Sequence, residues 1–71
     1  MSNRIVPMAN QIAAFFASQP GGDQAARVAA HLNDFWAPAM RAELAEHMAA
    51  APQDFAPLVQ AARAHLILPE A

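Results

Sequence analysis

Prolines decide what this chain can become. Pro7, Pro20, Pro38, Pro52, Pro57 and Pro69 recur along its 71 residues, and Gly21-Gly22 adds one flexible point. Inside a helix a proline removes a hydrogen bond and crowds the preceding turn, so each one starts or stops an element. Between the prolines the commonest residue is alanine, the strongest helix former, with 20 copies in all. No window alternates apolar and polar residues as a half-buried strand must. The pattern predicts one all-α domain over residues 1–71, a small compact bundle of about four short helices, with residues 67–71 as a tail.

The first helix is expected over about residues 7–18, with Pro7 in its first turn, where a missing N–H costs nothing. At 100° per residue, Ile5, Met8, Ile12, Phe15 and Phe16 share one face, with Asn10, Ala14 and Ala17 opposite. Gln19-Pro20-Gly21-Gly22 is a turn by composition. Asp23 suits the N-cap of a second helix over 24–36, whose stripe is Ala25, Val28, Leu32, Phe35 and Trp36. Pro38 ends that helix and opens a third, 38–50, with a narrow stripe of Met40, Leu44 and Met48. Glu43 and His47 stand one turn apart on its rim. After the turn Ala51-Pro52-Gln53-Asp54, a fourth helix is expected over 55–66, burying Phe55, Leu58, Val59, Ala62 and Leu66. Ile67, Leu68 and Pro69 form an apolar tail with no face of its own.

The core this predicts is thin. Leu, Ile, Val and Phe together number 15 of 71 residues, and a single core of this size supplies no more than roughly 3–5 kcal/mol. The net charge of −2 is too small to force disorder by repulsion. The isolated chain is therefore expected to be helical but marginal, or to hide its surplus apolar surface in a homo-oligomer.

Several kinds of chemistry are excluded by residue type. With no cysteine there is no disulfide framework, thiolate zinc site or thiol nucleophile. The basic residues are Arg4, Arg27, Arg41 and Arg63, spread singly with no lysine, a poor footprint for nucleic acid or an anionic membrane. No apolar run approaches the ~18 residues of a membrane span, and no signal-peptide pattern opens the chain. The cytoplasm is the expected compartment. Ser2 and Ser18 are the only serines, threonine and tyrosine are absent, and Glu43 and Glu46 fall on a solvated face. Such groups lack the pocket that a general acid or base requires. Gly21-Gly22 is followed by no lysine and is no phosphate loop. His31, His47 and His65 fall on three different helices without ligand spacing, and read as rim histidines beside neighbours such as Asp34 and Glu43. No catalytic, cofactor-binding or metal residue is assigned.

What remains is binding. Trp36 suits a core and an interface equally, because large aromatics dominate both. Phe15, Phe16, Phe35 and Phe55 add more rings than so small a volume readily buries. Asn10 and Gln11 read as a solvated back face, or as amides aimed at a partner's backbone. Arg41 has no carboxylate one turn before it, which leaves it free to fork onto a partner's carboxylate or carbonyl.

Two stretches carry a family resemblance. One is Met8-Ala9-Asn10-Gln11-Ile12 followed by Phe15-Phe16. The other is His31-Leu32, Phe35-Trp36, Pro38, Met40-Arg41 and Leu44, with Pro57-Leu58-Val59 at the start of the last helix. Together they resemble the delta subunit of soluble, NAD-dependent, molybdenum-containing formate dehydrogenases. Ala39 stands where that family often has a second arginine, so no contact of that arginine is implied. The resemblance implies a non-catalytic accessory subunit of an oxidoreductase complex, carrying no cofactor itself. Molybdopterin, iron–sulfur clusters, FMN and NAD are expected in partner subunits, which oxidise formate to CO2. The implied partner is the catalytic alpha subunit, which this chain would bind and stabilise as a structural subunit or, in a subordinate form, serve as an assembly factor while cofactor is inserted. The residues expected at that interface are Asn10, Gln11, Phe35, Trp36, Met40 and Arg41. The competing reading is a freestanding helical regulator, such as a helix-turn-helix DNA-binding module, which short helix connections permit and the missing lysines oppose.

Overall fold

The computed structural model describes residues 4–69, which form four α-helices: α1 (Ile5–Ala17), α2 (Gln24–Phe35), α3 (Pro38–Ala50) and α4 (Pro57–Ala62). Single 3-10 turns at Pro52–Asp54 and Arg63–His65 flank α4, and no strand occurs among the described residues. The smallest extent is 17 Å, which is two layers of helices about 10 Å across. α2 is the hub, packing on α1, α3, α4 and the Arg63–His65 turn.

Proline sets the starts of α3 and α4. α3 and α4 each open on proline, and the preceding Ala37 and Ala56 are extended, at ψ 151° and 150°. Steric conflict with the proline ring forces that conformation on the preceding residue. The same rule corrects the expected fourth helix. Because Ala56 must be extended, a helix cannot run through 55–66. The segment divides into a 3-10 turn, an extended Phe55, the six residues of α4 and a second 3-10 turn ending at an extended Leu66. Asp23 is a second correction: it sits at φ 57° in the left-handed region and makes no capping bond. An N-cap side chain reaches the helix N–H groups from an extended backbone, which that conformation denies. The turn is closed instead by Gln24 Nε2 donating to the Gln19 carbonyl at 3.0 Å. It pivots on Gly21 at φ 116°, where a Cβ would also press to 3.2 Å from the Arg27 guanidinium.

The inward face of α1 differs from the expected stripe. Ala9 and Ala13 are its buried residues, with Ile5, Val6, Ile12 and Phe16 packed at the margin, while Met8 and Phe15 are exposed. Small side chains let α1 lie close to its neighbours, and that rotation turns two large side chains out. The rest of the core follows expectation more closely: Val28, Leu32 and Trp36, joined by Ala29, from α2 and its end; Leu44 and Met48 from α3; Phe55, Val59 and Ala62 from the last segment. Leu32, Leu44, Val28 and Val59 are the largest completely enclosed side chains.

No α-helix is capped by the side chain of its own N-cap residue, and the helix ends around α4 are held by other helices. Asn10 of α1 accepts the Ala56 N–H on Oδ1 at 2.9 Å and donates Nδ2 to the Asp54 carbonyl at 3.1 Å. Asn33 of α2 repeats this on the far side of α4: Oδ1 accepts the Ile67 N–H at 2.9 Å, and Nδ2 donates to the His65 carbonyl at 3.2 Å. Each amide thus grips one carbonyl and the N–H two residues on. Arg41 closes the other junction. Its Nε donates to the Ile67 carbonyl at 2.7 Å, and Nη1 to the Asn33 and Trp36 carbonyls at 3.1 and 2.6 Å. The last two belong to the C-terminal turn of α2, where a cation is favoured by the helix dipole. The apolar tail is therefore tied down through the backbone of Ile67, although that side chain stays exposed; residues 70 and 71 of the expected tail lie outside the described residues. Replacing Asn10 or Asn33 by alanine is expected to cost about 1 kcal/mol each, a fall in Tm of about 4–8 °C for a domain this size. Thermal melts followed by circular dichroism check this, and an unchanged Tm in both variants would mean that the clasps do not hold α4.

Candidate functional site

The surface feature that stands out is a row of rings across α1 and α2. Phe15 meets Phe16 edge to face with centroids 5.2 Å apart and planes at 84°. Phe16 meets the His31 imidazole at 6.1 Å and 64°, and His31 meets Phe35 at 4.8 Å and 37°. The middle of the row is half-buried, whereas its ends stand out: Phe15 is 58% exposed and Phe35 74%. Spacing explains the alignment, since His31 and Phe35 are one turn apart on α2. On α1, Met8 lies two turns before Phe15 on the same stripe and is also exposed.

The second cluster surrounds the link into α4. His47 Nε2 lies 3.2 Å from Asp54 Oδ2, and its ring meets Phe55 edge to face at 5.2 Å. The expected pairing of His47 with Glu43 gives way to Asp54, which the 3-10 turn brings closer. Gln60 donates Nε2 to the carbonyls of Pro52 and Phe55, both at 3.0 Å. Every polar contact here serves the chain's own backbone or fold. A cleft of about 220 Å³ between α3 and α4, lined by Ala45, Met48, Ala49, Pro52, Gln60 and Arg63, is smaller than the roughly 300 Å³ at which ligand pockets begin. A wider depression of about 390 Å³ presents Glu43, Glu46 and His47, but the imidazole there is already engaged by Asp54. Among the described residues, no three His, Cys, Asp or Glu side chains gather as a metal site. With no cysteine in the sequence, there is no thiolate to hold an iron–sulfur cluster.

Residues 4–63 match the family described as the NADH-dependent formate dehydrogenase delta subunit, FdsD. The chain belongs to this delta-subunit family. No curated protein matches it closely enough to count as a relative.

Within this delta subunit the residues expected at an interface fall into two groups. Phe35 and Gln11 are open to solvent. Trp36 is 7% exposed and Arg41 8%, and Met40 is half-buried against the core. Asn10 is half-buried with both ends of its amide bonded internally. The reading of Arg41 as a free fork is corrected: its Nε and Nη1 are committed to three carbonyls of its own chain. The string Phe35-Trp36-Ala37-Pro38-Ala39-Met40-Arg41 thus builds the α2–α3 junction. Trp36 turns in as the C-cap of α2, with ψ 138°, Pro38 starts α3, and Arg41 reaches back across the break. Sequence reasoning missed Asn33, which carries no local signal, and missed that His31 links Phe16 to Phe35. The i, i+4 spacing of His31 and Phe35 was the available clue. No helix among the described residues is long and apolar enough to cross a membrane.

Proposed function

We propose that this delta subunit is a non-catalytic accessory subunit, working in the cytoplasm, which binds the molybdenum-containing catalytic alpha subunit and stabilises the assembled formate dehydrogenase. Molybdopterin, the iron–sulfur clusters, FMN and NAD are held by the partner subunits, and formate is oxidised to CO2 there. The observation that carries this reading is the outward placement of Phe15 and Phe35 in a chain whose Asn10, Asn33, Arg41 and Gln60 side chains are spent on its own backbone. A bare aromatic surface on a subunit of an oxidoreductase supports a role in binding its partner subunits. The DNA-binding reading draws no support from the fold. With Arg41 sequestered, at most three scattered arginines are left for phosphates.

The test is co-expression with the catalytic subunit. A stoichiometric complex is expected in size-exclusion chromatography. The catalytic subunit should also gain about 2.7 kcal/mol of apparent stability when this chain is present at a hundredfold its Kd. A catalytic subunit that neither co-elutes with this chain nor changes its melting behaviour would refute the reading.

A further inference from the structure

We infer that the row Phe15–Phe16–His31–Phe35, with Met8 beside it, is the docking surface, and that its occupant is an apolar hollow on the larger catalytic subunit. This rests on the accessory-subunit reading and adds to it the face and the chemistry of contact. α1 is built against the logic of a self-sufficient helix. It buries Ala9 and Ala13 completely while presenting Met8 and Phe15 to solvent. A helix that turns Met8 and one of its two phenylalanines away from its own core leaves them for something else to cover. α2 does the same at its end, where the enclosed Trp36 is preceded by a Phe35 that is 74% exposed.

Area separates the candidate occupants. A phenylalanine side chain buries about 150–250 Å², so Phe15 and Phe35 at 58% and 74% exposure together offer roughly 200–330 Å². Two copies stacked through Phe15 and Phe35 alone would bury roughly 400–660 Å² in total, in the range of crystal contacts and short of the roughly 1,200 Å² of a specific complex. The row is therefore an anchor, and the remaining area must come from a partner large enough to reach round its edges. Charge gives the chemistry. Arg27, one turn before His31, and Asp34, beside Phe35, flank the row with one charge of each sign. A partner surface that is apolar at its centre and close to neutral at its rim fits this arrangement.

The experiment compares the full chain with Phe15→Ser/Phe35→Ser, Phe35→Ser alone and Ile67→Ser in binding to the purified catalytic subunit, after circular dichroism has confirmed equal helicity. Ile67 is 64% exposed, and its backbone sits on Asn33, which points about 200° around α2 from Phe35, so it controls for general loss of surface apolarity. The double variant is expected to lose about thirtyfold or more in affinity, as removal of central aromatic anchors does. Ile67→Ser should bind as the parent does, and the parent's Kd should change less than about threefold between 0.05 and 0.5 M salt, since little net charge is screened. If the double variant fails to fold, Phe35→Ser, cut from the most exposed ring, carries the test. Folded variants that bind with the parent's affinity overturn the assignment of this face and leave the accessory-subunit reading standing. A parent dimer that the variants dissolve, with binding to the catalytic subunit unchanged, also overturns it, in favour of self-association. A parent that does not bind the catalytic subunit at all removes the functional reading itself, and this inference with it.

Discussion

Replacing Arg41 with alanine is expected to unfold the isolated chain at 25 °C. The guanidinium is almost enclosed and makes three bonds to backbone carbonyls, two in the last turn of α2 and one at Ile67. Hydrogen bonds from a charged donor contribute about 1.5–3 kcal/mol each. Losing two of the three already matches the roughly 3–5 kcal/mol that a core of this size supplies. Lysine does not restore them. Its ammonium is a point donor on a flexible stem and cannot span carbonyls that a planar fork reaches together, so Arg41→Lys is expected to fall between parent and alanine variant. Far-UV circular dichroism and urea titration of the three chains check this. A cooperative Arg41→Ala transition within about 1 kcal/mol of the parent would show that the junction is held by something else. Loss of partner binding in this variant would therefore report folding and would not place Arg41 at an interface.

The start of α3 was legible in the sequence because it is local: Pro38 acts on the residue before it, and nothing distant changes that. The same rule at Pro57 was equally local, and overlooking it began the expected fourth helix two residues early, at 55. The reading also failed where partners are far apart in the chain. Asn10 grips residues 44 and 46 positions away, and Asn33 residues 32 and 34 away. An isolated asparagine on a helix looks the same whether its amide meets water, a partner or a distant loop. The sequence offered Asn10 a solvated face or a partner's backbone; its amide is bonded instead to the backbone of its own chain.

The face of α1 was misread for a different reason. Periodicity locates the largest apolar side chains, but how a helix is rotated depends on how closely it approaches its neighbours. Alanines at 9 and 13 permit a close approach that Met8 and Phe15 would block. Met8 and Phe15 belong to the apolar stripe and yet are turned out of the core, and they are the α1 side chains exposed in the proposed docking row. Neither stripe alone singles out Phe15.

Trp36→Ala is the second large effect expected, and its contrast with Phe35→Ala is the sharper test of which side of the α2–α3 junction is inside. The two residues are adjacent, and composition treats them alike. Phe35 is the last residue of α2 and points outward at 74% exposure. One residue later the backbone leaves the helix, at φ −92° and ψ 138°, and Trp36 swings into the core at 7%. Truncating an enclosed tryptophan leaves a cavity and costs about 3–5 kcal/mol, enough to abolish cooperative folding here. Truncating Phe35 removes its contact with His31, worth about 1 kcal/mol, and uncovers nothing. Trp36 is the only tryptophan and tyrosine is absent, so the parent and Phe35→Ala should share one blue-shifted emission that moves to the red only on unfolding. Trp36→Ala, silent in fluorescence, is followed by circular dichroism and should show little cooperative transition. The reverse outcome, a Trp36→Ala chain that melts like the parent and a Phe35→Ala chain that does not, would place Phe35 in the core and remove one end of the proposed docking row.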